Sequence, residues 1–491
     1  MEKSSKLKVV GLTLAGLSVL ASGSAMAASL KVGGSVQSDF VWFDDDVNHA
    51  NRALGYGAGN LGFNNQSNVT SADVYLRGTL MDRWTYNLSV GHDLRDGRVN
   101  HDAGAPADNL SEARRGGPAV MDAWVGWDRF DPWARFSLGR MNVSQGLENS
   151  GNRSAYTFIA PAAGQRSFAV GRGDGLTVEG NPARWLGYQA GVYYHTTNAG
   201  AQGAAPGTGA NIDTSSQVVV SNSGNHLGMV SARAFVQPYV LPGKVLHLGA
   251  NYSGVDTKGD VSVNTAPGGY LNSSNAQMLR LSSANGVASG LGVHRTDGYT
   301  LWSGEGLAMM GPFHLQGEYS RFDLDLANAA RTDLAHSSLE ASGWYLQAGW
   351  MMTGESRNYD PVSGTLGKVN PRNARWGAWE LAARYDRVDL ARSVNNSGVV
   401  VAGTTAVFNG DTNAANAADS VNGGKMHDWT VGLNWYPNKN VKLVANYTAA
   451  EGKYATNAAG VAPNFAGATH PDENVRNRTV NIFAVKGQVD F

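Results

Sequence analysis

The chain has 491 residues, and its 39 basic side chains nearly balance its 40 acidic ones. The absence of cysteine excludes a disulfide scaffold, and the near-zero net charge argues against a nucleic-acid-binding protein. Beyond the N-terminal segment, no apolar run approaches the roughly 18 residues that a membrane-spanning helix needs.

The N-terminus has the pattern of a signal peptide. Lys3, Lys6 and Lys8 precede an apolar run over 9–21, and small residues follow as far as Ala27. This pattern predicts cleavage after Ala27, because it combines a basic start, an apolar run too short to span a bilayer and an Ala-x-Ala site. A buried or anchoring helix is the alternative. We therefore predict a signal peptide at 1–27 and a single exported domain at 28–491.

The remaining chain consists of short segments in which apolar and polar residues alternate. Alternation with a period of two predicts β-strands, and it is clear at 73–80, 84–91, 379–386 and 430–435. A soluble β-sandwich would show the same period, so alternation alone leaves both architectures open.

The lengths of the connections favour a transmembrane β-barrel, in which short turns at one end alternate with long loops at the other. Counting strands from residue 31 gives sixteen, a number that encloses an aqueous lumen. One turn, at 354–375, is unusually long and basic. The short turns are predicted at 81–83, 181–183, 311–312 and 437–439, and the long loops at 44–70, 94–119, 141–172, 196–226, 254–299, 323–338, 391–426 and 451–477.

The last strand alternates over 481–491 and ends on an aromatic residue, Phe491. This ending resembles the recognition signal of the outer-membrane assembly machinery, so we assign Phe491 as an assembly signal. Trp and Tyr residues also cluster near strand ends, as the interfacial girdles of membrane barrels require.

Several phrases of the sequence resemble the phosphate-selective porin O/P family of Gram-negative outer membranes. A looser match runs over 138–158, and the specific phrases are GPFHLQGEY at 311–319, SGWYLQAG at 342–349, TGESR at 353–357, GAWELAARY at 377–385 and VGLNWYPN at 431–438. The resemblance implies an all-β, sixteen-stranded antiparallel barrel that forms a homotrimer. It also implies a third extracellular loop folded into the channel, and anion passage. It further suggests that segment 354–375 folds into the lumen; a solvated periplasmic loop is the alternative.

Arginines are the candidate anion contacts, because a guanidinium stays charged and offers paired N–H donors to phosphate. The third loop supplies Arg153, Arg166 and Arg172. On the strands, parity places four more on the lumen face, since an arginine facing lipid would cost about 2–4 kcal/mol. These are Arg77, Arg135, Arg233 and Arg384. The alternative for each is a structural ion pair, for example with Glu148 or Asp174.

No motif predicts catalysis, a metal site or a cofactor. The 11 histidines form no ligand pair of metalloprotease spacing, and no G-x-S-x-G nucleophile motif is present. We therefore expect a non-enzymatic outer-membrane porin through which small anions diffuse, with phosphate or polyphosphate favoured. Expected partners are those anions, outer-membrane lipid and lipopolysaccharide. The alternatives are a general porin without preference, and a surface barrel acting as adhesin or receptor.

Overall fold

The computed structural model describes the strands and the connections near them. The described residues are 27–45, 66–80, 83–93, 119–196, 218–221, 226–265, 282–283, 293–326, 337–394, 421–422, 424–454 and 477–491. Of the predicted signal peptide only Ala27 falls within these ranges.

Sixteen strands form the body of the molecule. They are β1 (Ala27–Asp45), β2 (Gln66–Leu80), β3 (Trp84–Asp93), β4 (Ala119–Phe130), β5 (Ala134–Asn142), β6 (Arg172–Ala183), β7 (Leu186–Thr196), β8 (His226–Leu241), β9 (Lys244–Thr265), β10 (Val293–Met310), β11 (Phe313–Leu326), β12 (Ser337–Met351), β13 (Ala378–Val394), β14 (Gly424–Asn438), β15 (Val441–Tyr454) and β16 (Asn477–Asp490).

Each strand pairs antiparallel with the next, and β1 pairs with β16 to close the barrel. The closing register runs from Ser35 opposite Asp490 to Asp45 opposite Val480. Phe491 extends it by donating from its N–H to the carbonyl of Gly34 at 3.0 Å and accepting from the Gly34 N–H at 3.0 Å. Closure leaves no sheet edge exposed to lipid, and the predicted sixteen-stranded barrel is confirmed.

The remaining regular elements are short. Helices α1 (Gly146–Ser150) and α2 (Ala163–Ser167) and a 3₁₀ turn (Arg153–Ala155) lie between β5 and β6. No helix within the described ranges is long and apolar enough to cross a membrane. Small strand pieces complete the set: Val218–Ser221 on the end of β9, Ser282–Ser283 with Val421–Asn422, and Tyr359–Asp360 with Thr365–Leu366.

The outer face carries apolar side chains between two levels of aromatic rings. We call the level near the short turns the lower aromatic ring, and it contains Phe313, Trp350, Trp379 and Trp435. The upper aromatic ring, near the long loops, contains Tyr319, Trp344, Tyr385 and Trp429. Along β11 the two levels are six residues apart, about 20 Å of strand. Strands of membrane barrels are tilted by about 35–45°, so the two levels lie about 15 Å apart along the membrane normal, within the roughly 25 Å apolar band of outer-membrane barrels.

Two predicted connections differ from the structure. Strand β6 continues through Ala183, so the turn falls at 184–185 and not at 181–183. Pro182 is tolerated in the strand because the pairing with β7 is irregular between Gly180 and Ala183, where no regular ladder donor is needed. The loop predicted at 254–299 is also shorter, since β9 extends to Thr265 and β10 begins at Val293.

The alternation of faces can be tested with adjacent residues of β3. Leu88 is exposed on the outer face, whereas Asn87 lines an internal cavity. Leu88→Arg should destabilise the folded barrel by about 2–4 kcal/mol, because a charge near the bilayer midplane loses hydration. Asn87→Arg should cost much less, because it faces water. Urea titrations of folding into lipid vesicles measure the difference, and equal losses would contradict the assigned register.

Barrel closure makes Phe491 testable as an assembly residue. Deleting Phe491 removes two backbone hydrogen bonds, each of about 1 kcal/mol, together with the terminal ring. We expect a lower yield of heat-modifiable barrel in the outer membrane. Phe491→Ala keeps the backbone pairing and removes only the ring, and Phe491→Tyr should restore assembly. A deletion that assembled normally would remove Phe491 from this role.

Candidate channel lining

The connection between β5 and β6, residues 143–171, packs against inner-face side chains across the barrel. It contributes buried apolar residues to the interior, including Phe158, Ile159 and Phe168. Phe168 stacks on Phe322 of β11 with ring centroids 5.6 Å apart. Apolar packing therefore fixes this segment against the inner face of the wall.

Four consecutive carbonyls of this segment each accept a hydrogen bond from a different side chain. Because every donor comes from another element, the stretch 154–157 is held in place at four successive points. The pairs are Gln488 Nε2 to Ser154 O at 3.2 Å, Arg357 Nη2 to Ala155 O, Lys442 Nζ to Tyr156 O, and Asn434 Nδ2 to Thr157 O at 2.9 Å.

Helices α1 and α2 are attached by carboxylates and by a close backbone approach. Glu318 Oε1 accepts from the Glu148 N–H at 3.0 Å, and Asp386 accepts from the Ala163 N–H. Gly164 of α2 faces Gly343 of β12, and a Cβ on Gly343 would lie 2.8 Å from Gly164 Cα. Glycine is needed at this contact because any side chain would push the helix away from the wall.

Glu148 is the titratable group of α1. Its Oε2 accepts from the Ala162 N–H at 2.7 Å, and its Oε1 lies 3.9 Å from Nη1 of Arg384. Burial raises the pKa of Glu148 to about 7, against the lowering effect of Arg384 and the Ala162 hydrogen bond. The carboxyl is therefore partly protonated near neutral pH.

The long basic turn, 352–377, also packs against the interior. Arg357 donates to Glu380 Oε1 at 3.1 Å and to Thr157 Oγ1 at 3.3 Å, so it links the two inserted segments. The Tyr359 hydroxyl lies 2.9 Å from His247 Nδ1 and donates to Gln237 at 2.7 Å. These contacts agree with the inward arrangement suggested by the family resemblance and differ from a solvated loop.

A cavity of about 550 Å³ remains between the two inserted segments and the inner wall of β1–β5. Most of its lining is small or polar, and eight lining residues are charged. The cations are Arg77, Arg153, Arg172 and Lys368, and the carboxylates are Asp73, Asp122, Asp360 and Asp490.

We call this cavity the opening. Two of the carboxylates that line it accept hydrogen bonds from protein donors. Asp122 accepts from Arg172 Nε at 3.1 Å and from Ser89 Oγ at 3.0 Å. Asp490 accepts from Lys368 Nζ at 2.7 Å and from Ser154 Oγ at 2.9 Å. The charges of Asp122 and Asp490 are thus partly neutralised before any solute enters.

The structure brings together three of the predicted arginines and adds a fourth cation. Arg77, Arg153 and Arg172 line one opening, although they lie far apart in sequence. The Arg77 guanidinium stacks 3.8 Å from the Tyr75 ring centroid and forms no ion pair with any described residue. The fourth cation is Lys368, which lies in the basic turn and is not among the predicted anion contacts. Its charge is the one sequence signal that could indicate a channel role.

The other predicted arginines occupy different surroundings. Arg233 is buried and donates to Glu305 at 2.7 Å and to the Ser363 carbonyl at 2.6 Å. Arg384 is buried, donates to the Ala160 carbonyl at 3.0 Å and lies beside Phe158. Arg135 pairs with Glu179. The side chain of Arg166 lies outside the described part of the structure.

Comparison with known proteins identifies the family to which this closed barrel belongs. The family model described as phosphate-selective porin O and P matches residues 31–470. The chain belongs to this porin family. It is 26% identical to Porin O of Pseudomonas aeruginosa over 446 residues, which cover 88% of this chain and 85% of that protein. Membership makes this protein an outer-membrane channel.

Solved outer-membrane barrels are similar over nearly the whole porin. The channel DcaP of Acinetobacter baumannii matches with a TM-score of 0.47 at 8% identity, covering 96% of this chain and 98% of that one. OmpT of Vibrio cholerae matches with a TM-score of 0.46 at 10% identity, covering 94% and 97%.

The close contact between Gly164 and Gly343 gives a test of how α2 is held. Gly343→Leu should displace α2, because overpacking of this kind costs about 1–3 kcal/mol. We expect a larger single-channel conductance with normal barrel assembly. Gly304→Leu is the matched control, because a Cβ on Gly304 of β10 meets nothing within 4 Å. An unchanged conductance in Gly343→Leu would show that α2 does not limit the channel.

Proposed function

We propose that this porin lets small anions, with phosphate and polyphosphate favoured, diffuse through the opening beside β1–β5. The observation that carries the proposal is the grouping of Arg77, Arg153, Arg172 and Lys368 around that opening. These cations come from the wall and from both inserted segments. In this proposal the segment 143–171 is the inward-folded third loop and forms the constriction.

The chemistry of the opening suits an anion that must enter and also leave. Guanidinium groups replace part of the hydration shell of phosphate with paired N–H donors. A narrow opening between low-dielectric walls focuses the field of a few charges, so the overall charge balance of the chain is less important. The nearby carboxylates keep binding weak enough for release, as conduction requires.

The equal number of cations and carboxylates around the opening also supports a second candidate, a general porin with little preference between ions. The two candidates differ in the sign of selectivity. Arg172 and Lys368 share their charge with Asp122 and Asp490. Arg77 favours the anion channel, because it lines the opening and forms no ion pair with any described residue.

Further parts of the proposal concern assembly. We propose a homotrimer of barrels, embedded in outer-membrane lipid and lipopolysaccharide and exported after cleavage following Ala27. We propose no catalytic activity, cofactor or metal requirement. A role as adhesin or receptor would reside in the long loops and would leave conductance independent of the lining cations.

Planar-bilayer reversal potentials test the anion proposal. Arg77→Gln, Arg153→Gln, Arg172→Gln and Lys368→Gln, made singly, should each lower the anion-to-cation permeability ratio by a factor of about 5. This factor corresponds to the loss of roughly 1 kcal/mol of attraction per charge. Phosphate block of chloride current should weaken in parallel.

The matched control is Arg387→Gln, because Arg387 lies on the outer face of β13 and away from the lumen. It should leave the permeability ratio unchanged. Wild-type ratios in all four lining variants would reject the proposed filter. A wild-type porin without ion preference would support the general porin instead.

A further inference from the structure

One buried arginine of the long basic turn, Arg357, lies between the two segments that pack against the inner wall, 143–171 and 352–377. Its side chain is 1% exposed and does not line the opening, so a passing ion does not touch it. Any influence of Arg357 on the channel must therefore act through the groups that it binds.

The guanidinium of Arg357 binds the backbone of both segments. Its Nη2 donates to the carbonyl of Ala155 and to the carbonyl of Gly367, the latter at 3.3 Å. Its Nη1 donates to the Oγ1 of Thr157 at 3.3 Å. A single nitrogen thus joins one carbonyl from each segment, and the second nitrogen adds a side-chain contact to the first segment.

The two carbonyls bound by Arg357 lie next to residues that line the opening. Ala155 is two residues beyond Arg153, and Gly367 directly precedes Lys368. Both Arg153 and Lys368 line the opening. Because consecutive Cα atoms are only about 3.8 Å apart, a fixed carbonyl limits how far the neighbouring residues can move. Arg357 therefore fixes the backbone from which two lining cations project.

The other contacts of this region fix it less specifically. Of the four donors to the carbonyls of 154–157, three belong to the wall strands β14–β16, and Arg357 is the one from the basic turn. Leu147 and Leu366 of the two segments meet in an apolar cluster, but apolar contact has no preferred direction. The hydrogen bonds of Arg357 do have a direction, so they define how the segments lie relative to each other.

A second polar link between the segments runs through Asp490, which accepts from Lys368 Nζ at 2.7 Å and from Ser154 Oγ at 2.9 Å. The side chain of Lys368 is 39% exposed. Ion pairs that water can reach contribute little to stability. We therefore expect this link to weaken when the buried contacts of Arg357 are removed.

Glu380 of β13 fixes the orientation of the Arg357 guanidinium. Arg357 Nη1 lies 3.1 Å from Oε1 and 3.3 Å from Oε2 of this carboxylate. Glu380 also accepts from Asn434 Nδ2 at 2.8 Å and from the Tyr436 hydroxyl at 2.6 Å. A carboxylate held by several donors presents its oxygens in one direction, which in turn aligns the planar guanidinium.

We propose that Arg357, oriented by Glu380, is a positioning residue for ion selectivity and sets the separation of Arg153 and Lys368 at the opening. This inference rests on the proposed function, because it requires that these two cations attract the passing anion. Their attraction falls with distance and is screened over about 10 Å in salt solution. Cations that move apart would act singly, so the anion preference depends on an arginine that no ion touches.

Planar-bilayer reversal potentials of the full-length porin test this inference. Arg357→Met combined with Glu380→Gln removes both charges of the pair, so the net charge of the channel is unchanged. We expect the anion-to-cation permeability ratio to fall at least about 5-fold, the change expected for one lining charge. The matched control is Arg135→Met with Glu179→Gln, a pair between β5 and β6 that does not line the opening. The control should keep the wild-type ratio.

The same change in a second background separates positioning from a direct electrostatic effect. In a porin that already carries Arg153→Gln and Lys368→Gln, the Arg357→Met and Glu380→Gln changes should alter the ratio by less than about 2-fold. The reason is that the cations to be positioned are absent, so the effects are not additive. A further fall of about 5-fold in that background would overturn the inference, because the pair would then act on ions directly.

Arg357→Lys provides a milder variant, because it keeps a positive charge beside Glu380 and lacks the planar fork that binds several oxygens at once. We expect it to lower the ratio at least about 2-fold, with normal heat-modifiable mobility as the measure of folding. Wild-type ratios in both Arg357 variants would overturn this inference and leave the proposed function intact, provided that Arg153→Gln and Lys368→Gln lower the ratio. A wild-type porin without anion preference would overturn the proposed function and this inference with it.

Discussion

The closure of β1 against β16 is the constraint on which the rest of this structure depends. A bilayer offers no partner for an unpaired backbone N–H or carbonyl, so a sheet inside it must have no free edge. The Phe491 pairing with Gly34 completes that closure at the last residue of the chain. Sixteen strands close into a cylinder too wide for wall side chains to fill. Closure therefore creates a lumen, and the segments and side chains inside it must decide which solutes pass.

Two segments, 143–171 and 352–377, pack against the inner wall, and many of the inner charged residues are used to hold them there. Glu380 lies 2.7 Å from His314 Nε2 and accepts from Arg357, Asn434 and Tyr436. Because a buried carboxylate is stable only with several partners, this group ties β11, β13 and β14 to the turn that carries Arg357. Arg233 and Arg384 act similarly on Ser363 and Ala160. The charged residues of the inner wall therefore fall into two groups: some hold the two packed segments in place, and others line the opening.

The outer face follows the opposite rule, because lipid replaces water there. Apolar side chains fill the band between the two aromatic rings, and ionisable residues such as Arg321 and Lys425 occur only beyond its upper edge on β11–β15. The alternation of side chains along each strand therefore places apolar residues toward lipid and polar residues toward the interior. A shift of register by one residue would exchange the two faces, and the pairing is accordingly without irregularity between β11 and β12, between β13 and β14 and between β15 and β16.

The sequence by itself determined the strands, their number and the facing of individual residues, because a period of two and the alternation of turn lengths are local properties. It also placed Arg77, Arg233 and Arg384 on the inner face, where hydration demands them. It did not distinguish the lining Arg77 from the buried Arg233, since both have the same parity and differ only in what lies opposite. That difference arises from contacts between residues far apart in the chain, such as Arg233 with Ser363 and Lys368 with Asp490. Only the tertiary structure decides which cations hold the inserted segments and which line the opening, because burial depends on the path of those segments through the barrel.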